Sequence, residues 1–152
     1  MESSSSAVFE TPEALAELND VIHDNWFCLS EITYDPARRT LWIPFERRLD
    51  EARESRKRGL LIDEVLVPVQ ACTLVVEQVE DVDFSDAEGI DCYDFNVIRV
   101  DDGRMVVESN IPTRFVVSIS GLKVRLEFGH IVRRDRVKRL SLAPPSRLFK
   151  QE

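Results

Sequence analysis

His23-Asp24-Asn25-Trp26-Phe27-Cys28-Leu29-Ser30-Glu31-Ile32-Thr33-Tyr34, then Asp35-Pro36-Ala37-Arg38-Arg39, then Thr40-Leu41-Trp42-Ile43-Pro44-Phe45, reads as a helix exit, a strand, a polar turn and a second strand. In the second strand Leu41, Ile43 and Phe45 alternate with Thr40, Trp42 and Pro44, so one face is apolar. Pro44 cannot donate to a ladder, which predicts a bulge or an edge there. Asp35-Pro36 supplies turn chemistry: proline presets the backbone and the Asp side chain accepts a local N–H. Strands are expected over 26–34 and 40–47.

Upstream, Thr11 predicts an N-cap, with Pro12 at the first helical position. Leu15, Leu18 and Ile22 recur at helical spacing, which predicts an amphipathic helix over 12–23. Residues 1–10, rich in serine, read as a flexible start. Downstream, 46–59 turns abruptly charged and reads as a solvated insertion ended by Gly59. Residues 60–79 hold the longest strand-like run. Both its alternating sets are apolar, which predicts burial on both faces, with a break or bulge at Pro68.

Residues 80–94 carry seven carboxylates and no Lys or Arg, and read as a connection. Strands are expected at 93–101 and 104–109 around Asp101-Asp102-Gly103, a hairpin signal that pairs Val100 with Met105 and Ile98 with Val107. Phe115, Val117 and Ile119, then Ser120-Gly121, then Leu122, Val124, Leu126 and Phe128 read as a second hairpin, with 119 opposite 122. Residues 141–152 read as a tail. The expected fold is α+β and mainly β. It is a bent antiparallel sheet of about seven strands, a partly open barrel or a two-layer sandwich, with one N-terminal helix, in a single domain over 11–140.

The chain has 152 residues, is 43% hydrophobic and 32% charged, and carries a net charge of −8. That charge argues against duplex nucleic acid, whose affinity rests on Lys and Arg neutralising phosphates. No apolar run approaches the roughly 20 residues of a membrane helix, and the first residues lack a signal-peptide pattern. Cys28, Cys72 and Cys92 are odd in number and set in apolar runs, so they read as reduced core residues of a cytoplasmic protein.

No motif assembles a catalytic site. His23-Asp24 with Cys28 is the nearest approach to a nucleophile, base and orienter, but it reads as a structural helix exit. No paired metal-ligand spacing exists, and neither a metal nor another cofactor is expected. Counting a calcium loop from Asp81 puts Asp86 and Cys92 where Gly and Glu belong. Two surfaces are candidates for binding. Asp81, Asp83, Asp86 and Glu88 form an acidic partner surface, and Arg53, Arg56 and Arg58 could hold a small anionic ligand. The basic runs 47–58 and 133–139 are expected to balance the acidic region 77–94.

Two resemblances attach to these residues. Asp83-Phe84-Ser85-Asp86-Ala87-Glu88-Gly89, downstream of Arg53-Glu54-Ser55-Arg56-Lys57, resembles the Arg-x-x-x-Arg and Asp-x-Ser-x-x-Gly pattern of the PilZ barrels, with Gly89 one residue late. That resemblance implies a cyclic-dinucleotide ligand. The helix ending in His23-Asp24, followed by the strands to Phe45, resembles several small uncharacterised bacterial domain families. Some of these are suspected immunity proteins, which bind and neutralise a toxin. This likeness covers 12–45 and implies a bacterial, non-enzymatic protein-binding module, monomeric or weakly dimeric.

Overall fold

The computed structural model describes residues 5–58 and 60–140, by backbone alone at 55–58 and 139–140, so the tail expected at 141–152 lies outside the described residues. The chain divides into two compact units, Met1–Arg47 with Ala71–His130, and Arg48–Gln70 with Ile131–Glu152.

The first unit is a two-layer antiparallel sandwich with one helix, as the patterning required. Strands β1 (Ser5–Phe9), β2 (Trp26–Cys28), β3 (Thr33–Asp35) and β4 (Thr40–Arg48) come first, with helix α1 (Leu15–Ile22) between β1 and β2. Along the whole chain then follow β5 (Glu54–Arg58), which belongs to the second unit, β6 (Ile62–Val76), β7 (Val79–Ser85), β8 (Cys92–Asp94), β9 (Val97–Asp101), β10 (Arg104–Glu108), β11 (Arg114–Ile119) and β12 (Val124–Leu140), with β6 and β12 running through both units. One sheet has the order β1-β12-β6-β4-β2-β8, with β3 also on β4 and β5 on β6; the other is β7-β11-β10-β9. Among the described residues neither closes into a barrel. Leu41, Ile43, Phe45, Leu74 and Leu126 of the first sheet share one core with Ile98, Met105, Phe115 and Val117 of the second, and α1 adds Leu15, Leu18 and Ile22.

The helix starts later than its periodicity suggests, because Ala14, Leu15 and Ala16 bond back three residues in tight turns. Thr11 caps them, its Oγ1 accepting the Ala14 N–H at 3.1 Å. The expected strand 26–34 is two short strands around a 3-10 turn at Leu29–Glu31. That break explains Pro44. Strand β3 pairs Thr40 to Trp42, β2 pairs Phe45 and Glu46, and Pro44 falls between these two stretches, outside both pairings.

Four expectations are corrected. Residues 5–9 are not a loose start but pair with β12, Ser5 opposite Phe128 and Phe9 opposite Val124. Within 46–59 the chain continues β4, makes a 3-10 turn at Asp50–Ala52 and forms β5 against β6, Glu54 opposite Leu66. The acidic stretch is largely strand: β7 pairs with β11, and Val79, Val82 and Phe84 lie opposite the buried Ile119, Val117 and Phe115. Finally, β11 and β12 are not a hairpin. They lie in different sheets, and 120–123 carries the chain across. Their apolar residues do face one core, but from opposite sides.

The hairpin over Asp102-Gly103 holds as read, Met105 opposite Val100 and Val107 opposite Ile98. Asp102 (φ 47°) and Gly103 (φ 73°) both take the left-handed backbone this two-residue turn demands. Along β6, Leu74, Val75 and Val76 are buried in succession, so both faces are covered there. In the second unit Asp63, Val65, Val67, Pro68 and Val69 are buried, and the strand runs through Pro68.

Candidate partner-binding edge

Strand β8 ends the larger sheet, so among the described residues its outer backbone edge has no strand partner. It is three residues long, and its surroundings come from four places in the sequence. On β2, Trp26 lies opposite Asp94 and Cys28 opposite Cys92. The sheet pleat turns Phe27 and Tyr93 inward, where both are buried, and leaves Trp26, Cys28, Cys92 and Asp94 on the outer face.

The preceding loop is held by two carboxylates. Asp86 accepts the N–H groups of Ile90 (3.0 Å) and Asp91 (2.9 Å) and the hydroxyl of Tyr93. The Tyr93 bond, with the backbone bonds behind it, holds the Asp86 carboxyl below its usual range, and Asp86 in turn raises the Tyr93 hydroxyl. Asp91 takes a left-handed backbone (φ 67°) and accepts Ser30 N–H at 2.9 Å and Ser30 Oγ at 2.7 Å. Its carbonyl accepts the Leu29 N–H, so the loop and the 3-10 turn fix each other. On the far side Asn110 donates to Asp94, and Thr113 donates to the Ser85 carbonyl at 3.0 Å.

Four exposed apolar side chains lie on these segments: Trp26 (65% exposed) on β2, Ile90 (46%) in the loop before β8, Ile111 (44%) between β10 and β11, and Phe84 (40%) on β7. Trp26 is the most exposed of them and lies opposite Asp94 of β8. Glu88 is exposed in the same loop as Ile90.

The sequence-predicted residues distribute unevenly over this picture. Asp86 is a loop anchor and Glu88 is exposed beside it. Asp83 lies on β7, bound by Arg114 through Nε at 2.8 Å and Nη2 at 2.6 Å, and Asp81 is exposed on the same strand. The acidic region takes its ion pairs from Arg39, Arg114, Lys123 and Arg125, while Arg133, Arg136 and Arg48 pair with Asp135, Glu64 and Asp135. Among the described residues, Arg48, Arg133 and Arg136 thus pair with carboxylates outside the acidic region. Arg53 is exposed after the Asp50–Ala52 turn; the side chains of Arg56 and Arg58 lie outside the described residues.

His23 and Asp24 form no catalytic grouping with Cys28. His23 Nδ1 donates to the Asn96 carbonyl at 3.1 Å, and its Nε2 lies 3.5 Å from Asp24. Cys28 is bonded to Cys92, which corrects the expectation of three reduced cysteines; only Cys72 is a free thiol. Burial pushes the Cys72 thiol up, against opposing effects of Arg47 and the Gly129 backbone. Cys28, Asp91 and Cys92 are close enough to share a cation, but the two sulfurs are joined and so offer no thiolates.

Sequence reasoning missed Trp26, Ser30, Ile90, Asp91, Tyr93 and Ile111. Alternation could have flagged Trp26, since it shares strand parity with Cys28 and opposes the inward Phe27. Comparison with protein-family models, curated proteins and solved structures finds no match for this chain.

Proposed function

We propose that this chain is a non-enzymatic protein-binding module whose contact surface is the β8 edge. The observation that carries the reading is Trp26, 65% exposed on the outer sheet face beside an open strand edge. Tryptophan is enriched among the residues that dominate binding energies, because a large rigid ring loses little entropy when covered. Asp94, opposite Trp26, favours a partner with a basic residue beside an apolar segment. The open edge adds backbone donors and acceptors for an extended segment of that partner. Neutralising a toxin, as the resemblance at 12–45 implies, would be one form of this activity.

The test is site-specific photo-crosslinking from position 26 in the native host's cells. The reading expects a discrete adduct that disappears in Ile90→Asp, with the melting temperature held within a few degrees. An adduct pattern unchanged by Ile90→Asp, or no adduct at all, would overturn it.

A further inference from the structure

Cys28 and Cys92 face each other across β2 and β8 with Cα atoms 3.9 Å apart, 64 residues apart in sequence. Both residues are partly exposed, on the outer face of the sheet rather than in the core. A disulfide made to stabilise a core sits where a reductant cannot reach; this one lies at a sheet edge, on a strand of three residues. It also touches the anchoring network directly: Asp91, which clamps Ser30 and Leu29, is the residue before Cys92, and its carboxylate lies 3.8 Å from the Cys92 sulfur.

We propose that the Cys28–Cys92 bridge is a redox-operated lock on the β8 edge. The inference rests on the reading of that edge as the partner surface and concerns its regulation. The reductant is a dithiol, small or protein-borne. Its thiolate attacks one sulfur of the bridge, forming a mixed disulfide and expelling the other sulfur as a thiolate. The second thiol of the reagent then attacks the mixed bond, closes its own disulfide and releases the second protein sulfur. Two electrons and two protons pass from the dithiol to the bridge, leaving two cysteine thiols. Once open, β8 is held to β2 by non-covalent bonds alone, the three-residue ladder and the Asp91 and Phe95 backbone bonds that flank it, and the 86–91 loop loses its covalent tie to the 3-10 turn. The contact surface around Trp26 then loosens. Exposed, labile bridges of this kind are the regulatory ones.

The experiment treats the native, folded chain with dithiothreitol and follows two readouts that need no partner. Alkylation with iodoacetamide followed by peptide mass mapping should modify Cys28 and Cys92 while buried Cys72 stays unlabelled. Hydrogen exchange at Leu29, Ile90, Asp91 and Phe95 should quicken by at least about tenfold, while Met105 and Val117 in the other sheet stay protected. A bridge that opens only when the whole chain unfolds, or exchange at β8 that is unchanged after opening, would overturn the lock. Cys28→Ser with Cys92→Ser should reproduce the reduced exchange pattern. The position-26 cross-link, run on both states, then separates the two claims. A yield that falls on reduction supports regulation, and an equal yield overturns it. If neither state gives an adduct, the partner reading fails while the lock stands on labelling and exchange.

Discussion

Asn19 binds the backbone of Ile98 at both ends: its Nδ2 donates to the Ile98 carbonyl at 3.0 Å, and its Oδ1 accepts the Ile98 N–H at 2.8 Å. Strand β9 ends its sheet, so this helix side chain stands where a neighbouring strand would pair. Asn19→Ala leaves both groups without that partner. It should cost about 1–3 kcal/mol in urea unfolding, with an unchanged slope. Asn19→Ala at the wild-type midpoint would mean water replaces the side chain at no loss.

The exit of α1 makes a different demand. Asp24 holds a left-handed backbone (φ 64°) while its N–H donates to the Phe95 carbonyl at 2.9 Å. Glycine meets that conformation freely and retains the N–H. Asp24→Gly should therefore keep or slightly raise the melting temperature, whereas Asp24→Val should lower it. His23→Gln should cost at most about 1 kcal/mol, because a single exposed bond to the Asn96 carbonyl is at stake.

The Asp86 carboxyl lies below its usual range chiefly because Tyr93 donates to it. A carboxyl lowered by folding supports the native loop when ionised. Its contribution is complete above the ordinary value of about 4 and is lost as pH falls through the lowered one. Tyr93→Phe removes the largest cause, so Asp86 should titrate at higher pH. The side-chain carbonyl shift of Asp86, followed by NMR from neutral to acid pH, checks this. In the wild type the Tyr93 phenol should ionise above its usual value of about 10, a rise in ultraviolet absorbance delayed to more alkaline pH.

Gly129 on β12 lies hard against β6: a Cβ there would stand 2.6 Å from the Ala71 carbonyl oxygen. Backbone, not a movable side chain, would have to yield. Gly129→Ala should destabilise by about 1–3 kcal/mol, whereas Gly89→Ala, with open space around the glycine but a left-handed backbone (φ 68°), should be milder. Parallel thermal melts of the two variants compare the cost of close approach with that of backbone strain.

Local chemistry made parts of the fold legible. The turn at Asp102-Gly103 sets its own register, so Val100 and Met105 could be paired from sequence. Leu41, Ile43 and Phe45 declared their face by alternation. Alternation tells which side of a strand meets the core but not which sheet it joins, and so 115–119 and 122–128 imitated a hairpin. The carboxylates of β7 hid a strand because an edge tolerates charge on its outward positions while Val79, Val82 and Phe84 still reach the core side. The candidate edge was half visible. Asp86 and Glu88 stood out by charge, but Trp26 comes beside β8 only through the β2–β8 register. The bridge was hidden for the same reason, since spacing alone cannot bring Cys28 to Cys92.

The pairing of Ser5 with Phe128 bears on how the chain is made. Strand β1 leaves the ribosome early, and its partner follows only after nearly the whole sandwich has been translated. At about 5–20 residues per second, β1 waits on the order of ten seconds with Val8 and Phe9 uncovered and its hydrogen-bonding edge exposed. During that interval the apolar Val8 and Phe9 have only Ser5, Ser6, Ala7 and Glu10 of their own segment around them.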